Sequence, residues 1–437
     1  MNKQKIMHNR KPRIAIIVEV KKREMPFMSI LQEVLKHKGY EVKLVPFRSL
    51  CTWRLMFFHP DIVLINGLRH EDPYFIKQVY IPKKLFKSKI ACYYSEQVGY
   101  YNESIAKGYY NTVIFENVDY HIAWGPHFAK DLMALGVPKE KLWYIGSVQY
   151  DIDKYLKKSF DAIKKELSTQ FGIPIEKKWI LYADNIIESF QKSGYYELRR
   201  RETFDMVEKI AIDNPNSCVI FRHHPDSPAS DVELAKKRFE NIKNVFVIPQ
   251  GHIFDWTCSI SALVIWVSTS SLQTMFMGKP VFGFMTSDGK DMEYYWHRDI
   301  FPTYKEADRL SAAINRTLAN VENEEDLKYA ENREYFVKDW YFKKDGYSFE
   351  RLCFLLDIVN NGPYYPLTGA PRYGFLKCFS ILYLELQAWG GDVLKGRNKE
   401  RNLFRSEIWG ELKKYDVSRC SDISFEILES ECGYYLS

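Results

Sequence analysis

The stretch ALVIWVSTSSLQTMFMGKPVFGF, residues 262–284, holds the shortest legible unit of the fold. Ala262 to Val267 are apolar on both faces, the pattern of a strand buried inside a parallel sheet. Four hydroxyl residues follow at once: Ser268, Thr269, Ser270 and Ser271. An apolar helical stretch then ends at Gly278, a natural C-cap, and Lys279-Pro280 leads into the next buried strand, PVFGF. Strand, helix and strand in immediate succession make a βα unit.

The same alternation extends in both directions. Upstream lie WILYAD (179–184), SCVIFRHHP (217–225) and VFVIP (245–249), with helices predicted near 197–213, 232–240 and 253–259. Downstream, helices fit 304–320 and 324–340. An earlier series contains RIAIIVEV (13–20), a strand over 41–47, DIVLING (61–67), KIACYYSE (89–96), YHIAWG (120–125) and LWYIGS (142–147). Helices are expected over 28–38, 74–86 and 126–135. The polar, helical stretch between the two series has no strand character. The expected fold class is therefore α/β: two doubly wound Rossmann-like domains facing a cleft, with a helical C-terminal extension. The boundaries fall at 1–150 for the first domain, 151–178 for a crossover linker, 179–345 for the second domain and 346–437 for the extension.

A chain of 437 residues with 46% hydrophobic and 27% charged content is globular and long enough for two domains. Its net charge of +6 is spread along the chain, which suits a phosphorylated ligand or an anionic surface better than nucleic acid. Eight cysteines show no CxxC or metal-type spacing, so free thiols in a reducing, cytoplasmic compartment are expected, with no metal site. No signal peptide and no membrane span is predicted. The segment GFLKCFSILYLELQAW (374–389), followed by the basic run KGRNKERNLFR (395–405), reads either as a helix packed on the domains or as an interfacial helix at the inner membrane.

In open α/β sheets, ligands bind beyond the carboxyl ends of the strands, so polar residues there are the first site candidates. Arg222 and His224, the latter just before Pro225, close one strand, where an imidazole can donate to a phosphate oxygen; a satisfied loop histidine is the plain alternative. Ser268, Thr269, Ser270 and Ser271 exceed what one helix cap needs and suit an anion. Glu96, in Tyr94-Ser95-Glu96-Gln97-Val98-Gly99, is placed to deprotonate a hydroxyl or to cap the next helix. Asp184 ends the first strand of the second series, and Glu19 ends the first strand of the chain. Lys21-Lys22-Arg23 reads as a loop, and Gly146 lies before the crossover. There is no GxGxxG, P-loop or HExxH, which argues against dinucleotide oxidoreductases, kinases and zinc proteases.

Three of these stretches resemble the GT-B glycosyltransferase superfamily, in particular capsule Kdo transferases, bacterial sialyltransferases and teichoic-acid glycerophosphotransferases. They are HIAWGPHFAKDLMALGVPKEKLWYIGSVQYD (121–151), FRHHP (221–225) and STSSLQTMFMGKPVFGF (268–284). The likeness spans about residues 13 to 320. It implies an acceptor-side first domain and a donor-binding second domain, with His224 and the serines Ser270 and Ser271 on the donor phosphate. It also implies Glu96 as catalytic base, although Glu-Gln-Val-Gly departs from the acidic-acidic-glycine motif of the sialyltransferases.

The function expected from this is metal-independent transfer of a sugar or polyol phosphate from a nucleotide-activated donor, CMP- or CDP-linked, onto a surface-polysaccharide or lipid-linked glycan acceptor, with no separate cofactor. A UDP-sugar 2-epimerase on the same scaffold and a non-catalytic scaffold of a polysaccharide-assembly complex are the alternatives.

Overall fold

The computed structural model describes residues 10–67, 72–95, 97, 112–184, 194–224, 227–266, 268–287, 299–321, 327–368, 375–394 and 405–420. Two compact units divide the chain. One combines Met1–Lys157 with Val337–Ser437, and the other is the continuous segment Lys158–Phe336.

The first unit is built on six parallel strands: β1 (Arg13–Val18), β2 (Glu41–Pro46), β3 (Ile62–Ile65), β4 (Lys89–Tyr93), β5 (Tyr120–Ala123) and β6 (Leu142–Tyr144). Their order is β2-β1-β3-β4-β5-β6. Strands that read as apolar on both faces are buried on both faces: Ile14 to Ile17, Ile62 to Ile65 and Ile90 to Cys92 have no exposed surface. The first helix, Lys21–His37, starts seven residues before the position expected from periodicity. Lys21, Lys22 and Arg23 are thus its first turn rather than a loop. That turn is closed by Glu24, whose carboxylate accepts from the Glu19 amide at 2.7 Å, while the Arg23 and Glu24 amides both donate to the Val20 carbonyl.

The second unit carries β7 (Lys178–Ala183), β8 (Ser217–Arg222), β9 (Val245–Val247), β10 (Ala262–Ile265), β11 (Val281–Phe284) and β12 (Thr303–Tyr304). All pair in parallel, in the order β12-β11-β10-β7-β8-β9. Counted from β7, this is the 3-2-1-4-5-6 order of a Rossmann sheet, with its switch point between β7 and β10. The helices Gly194–Asp213 and Ala307–Leu318 cover one face and share an apolar cluster with β7, β8 and β10 that includes Ile180, Val219, Val264, Ile210 and Ile314.

The C-terminal residues clad the first unit. The helix Ser348–Asn361 is almost wholly buried. Asp151 accepts from the Ser348 amide at 3.0 Å and from its hydroxyl, and Arg351 Nε donates to the Ile145 carbonyl at 2.7 Å. Lys89 Nζ donates to the carbonyls of Val359, Asn360 and Gly362. Beneath this layer Lys83 and Asp119 form an ion pair with no exposed surface, Nζ to Oδ1 at 2.7 Å, with the Tyr365 carbonyl as a further acceptor. Cys92 in β4 and Cys218 in β8 are buried free thiols, as small apolar residues would be.

Candidate functional site

Register gathers the second unit's candidates on one edge of its sheet. Ala183, the last residue of β7, pairs with Arg222 in β8 and with Ile265 in β10. Because the strands are parallel, everything just past these three residues leaves by the carboxyl edge. Asp184 follows β7, His223 and His224 follow β8, and Trp266 and Ser268 to Ser271 follow β10. The β8 and β10 turns flank β7, so they start roughly 10 Å apart, two strand spacings.

Asp184 is the centre of a buried charge cluster. Its Oδ1 takes Arg199 Nη2 at 3.1 Å, and its Oδ2 lies 3.5 Å from His223 Nδ1. The Arg199 guanidinium carbon stands 3.4 Å from the centroid of the Trp266 ring, a cation–π contact that ties the switch-point strands β7 and β10 together. Burial alone would raise the Asp184 carboxyl, but the neighbouring His223 imidazole and the Arg199 charge outweigh it and hold it below the usual carboxylate range. His223 is 3% exposed, and its Nε2 has no hydrogen-bond partner among the described residues. A cavity of about 20 Å³, room for one water molecule, opens beside it between Asp184, Arg199, Thr203 and Phe221.

Arg222 is buried, donates through Nη2 to the Gly251 carbonyl at 3.0 Å, and leaves Nε without a partner among the described residues. Burial lowers its guanidinium to about 10. His224 is half-buried, and its carbonyl accepts from the Ser227 amide at 3.0 Å.

The hydroxyl run divides its labour. Ser271 is wholly buried and spends its hydroxyl on the Ser268 carbonyl at 2.7 Å. Ser268 Oγ lies 2.8 Å from Ser270 Oγ and accepts from the Ser270 amide at 3.3 Å. Thr269 is exposed and occupies the N-cap of the helix Ser270–Phe276 without a side-chain cap. Thr269 and half-buried Ser268 therefore form the surface of this turn, while the buried Ser270 and Ser271 fasten it from beneath.

In the first unit the switch point lies between β1 and β3. Glu19 follows β1 there, half-buried. Glu24, fully buried, faces Arg23 Nη2 at 3.0 Å, and burial pushes its carboxyl up against the opposing pull of that arginine. Glu96 lies outside the described residues. Its neighbours are pinned: the Ser95 amide donates to Asn66 Oδ1 at 3.0 Å, and Gln97 bridges the Tyr94 carbonyl and the Trp124 amide. Gly146 has φ +84°, and a Cβ on it would meet Ser348 Oγ at 2.5 Å, so it is a close-packing point beneath the C-terminal layer.

Sequence reasoning passed over Arg199, His223, Trp266 and Glu24. Arg199 stands in a basic helical run, Arg199-Arg200-Arg201, that reads as solvated surface, and nothing local marks it as the one turned inward. His223 was overshadowed by the neighbour that precedes proline.

These two Rossmann-type sheets define a fold of the GT-B type. No family model matches the sequence, and no curated protein matches it. Among solved structures, the chain is similar to Staphylococcus aureus MnaA in a co-structure with UDP, at 14% identity and TM-score 0.55, over 83% of this chain and 100% of that one. It is also similar to a UDP-N-acetylglucosamine 2-epimerase, at 13% identity and TM-score 0.57, over 84% and 100%. A third is the wall teichoic acid polymerase TagF, in a variant soaked with CDPG, at 14% identity and TM-score 0.54, over 80% and 88%.

Proposed function

We propose that the chain transfers a glycosyl or polyol-phosphate group from a nucleotide-activated donor to a hydroxyl of a surface-glycan acceptor. The observation that carries this reading is the shared carboxyl edge of the second sheet. There a guanidinium (Arg222), an imidazole (His224) and the hydroxyls of half-buried Ser268, exposed Thr269 and buried Ser270 leave from registered positions around one switch point. Cationic and hydroxyl donors at such a point suit the phosphate of a nucleotide. In this reading they neutralise the leaving phosphate in place of a metal, and the buried Asp184–Arg199 pair keeps the two flanking strands fixed beneath them. Glu96 takes the acceptor proton. A cytidine donor is favoured by the His-Pro likeness at 224–225, and the similarity to TagF soaked with CDPG supports it.

A second reading, UDP-sugar 2-epimerisation, is favoured by the complete coverage of MnaA and of the 2-epimerase. Isothermal titration with CMP, CDP, UDP and GDP separates the two. Heat on CMP or CDP that His224→Ala weakens is the expected result. Binding of UDP alone transfers the case to the epimerase, and silence with all four nucleotides overturns both.

A further inference from the structure

The helix Phe375–Leu394 is built inside out. A helix resting on a water-soluble core turns apolar residues inward and polar ones to solvent. Here the inward face carries Glu385 and Asp392 beside Ile381, all buried. Glu385 accepts from the Thr52 amide at 3.0 Å and from its hydroxyl at 3.1 Å, and it pairs with Lys77 Nζ at 3.0 Å. Trp53 Nε1 adds a hydrogen bond to the Leu382 carbonyl at 3.1 Å. The outward face carries Phe379, Tyr383, Leu386, Trp389 and Val393, all exposed and recurring at three- and four-residue spacing. Phe57, 78% exposed, stacks on Trp53 and extends the apolar surface onto the neighbouring helix Cys51–Phe58. Among the described residues no helix is long and apolar enough to cross a membrane.

We propose that this face lies on an anionic lipid bilayer, with Phe379, Tyr383, Leu386 and Val393 in the headgroup–acyl boundary and the helix parallel to the surface. Charge selects this occupant. Lys377 is exposed on the helix, and the sequence leaving it at 395–402, KGRNKERN, has four basic residues against one acidic, complementary to anionic headgroups. Tyr383 and Trp389 are residue types that favour the membrane interface. The polar grip on Glu385 holds the helix to the first unit while its outer face leaves water. None of this depends on the reaction proposed above, and a chain that binds no nucleotide at all would leave it standing.

The test is cosedimentation of the full chain with phosphatidylglycerol-rich vesicles and with pure phosphatidylcholine vesicles. Binding to the former, weakened by salt, is expected. The triple variant Phe379→Ser, Leu386→Ser, Val393→Ser should lower partitioning by about tenfold or more, with unchanged circular dichroism, since all three side chains are exposed. Should that variant misfold, brominated phosphatidylglycerol must quench wild-type tryptophan fluorescence, and Trp389→Phe must remove part of that quenching. Absence of binding to anionic vesicles overturns the proposal, as does binding that the triple variant leaves unchanged. So does a dimer that the triple variant dissociates in the absence of any vesicle affinity, which would make a second copy the occupant.

Discussion

Asp184 and Arg222 are joined through their backbones and not through their charges: the Asp184 amide donates to the Arg222 carbonyl at 2.9 Å, while the carboxylate turns to Arg199. The Arg222 guanidinium is thereby left without a carboxylate partner among the described residues, although it is buried. A buried cation kept without a carboxylate at a strand end costs stability, a cost that the donor phosphate of the proposed function would offset.

Arg222→Met replaces that cation by an apolar side chain of similar length. Nucleotide affinity should fall about tenfold to a hundredfold, as expected for losing one charged hydrogen-bond donor. The urea midpoint should stay level or rise. Calorimetric titration and denaturation curves check the two halves, and a large loss of stability would make Arg222 a structural residue.

Arg199→Ala leaves the Asp184 carboxylate buried without its main cation. The expected cost is about 3 kcal/mol in the second unit. The double variant Arg199→Ala, Asp184→Asn should recover part of it, because the orphaned charge is gone. Urea unfolding of the single and double variants measures this coupling.

The pH dependence of Asp184 has a definite sign. Its folded pKa is depressed, so its contribution is present above the unfolded value near ~4 and is lost as pH falls through the folded one. Asp184→Asn should therefore be less stable than wild type from pH 7 to about 5, with the gap closing below about pH 4. Glu24 has the opposite sign: its folded pKa is raised, so ionisation above the unfolded value works against the fold. Glu24→Gln should raise the urea midpoint at pH 7 and lose that advantage below about pH 4.

Two glycines separate strain from collision. Gly136 has φ +94° with open space around it, so Gly136→Ala should cost only the left-handed backbone penalty, about 1 kcal/mol. At Gly125 a Cβ would lie 2.4 Å from the Trp340 backbone carbon. Gly125→Ala must displace main chain, and soluble yield or melting temperature should fall far more than for Gly136→Ala.

Glu96→Gln should retain donor binding and abolish transfer if Glu96 is the base. Single-turnover assays against calorimetric affinity separate these, and retained turnover reassigns the role.

The two-sheet α/β fold was legible because its central strands are continuous apolar runs, such as Ala262 to Ile265, and few other structures leave such runs buried on both faces. The carboxyl-edge candidates Asp184, Arg222 and Ser268 to Ser270 were legible for the same reason, since strand ends mark that edge. Partnership was not. Which arginine of Leu198-Arg199-Arg200-Arg201 turns inward depends on Trp266, sixty-seven residues away in the sequence. That Gly146 and Asp151 receive the helix beginning at Ser348 depends on a contact about two hundred residues distant. The early start of the helix Lys21–His37 was hidden because the basic run Lys21-Lys22-Arg23 reads as a loop, and only the return of Glu24 to the Glu19 amide closes the turn.

The interrupted course of the first unit has a consequence for biogenesis. Residues 158–336 are contiguous and can close their own core as soon as they clear the ribosome. The earlier-made sheet must wait with the surface around Ile145, Lys89 and Gly125 uncovered until residues beyond 337 arrive. Synthesis order and completion order of the two units are thus reversed.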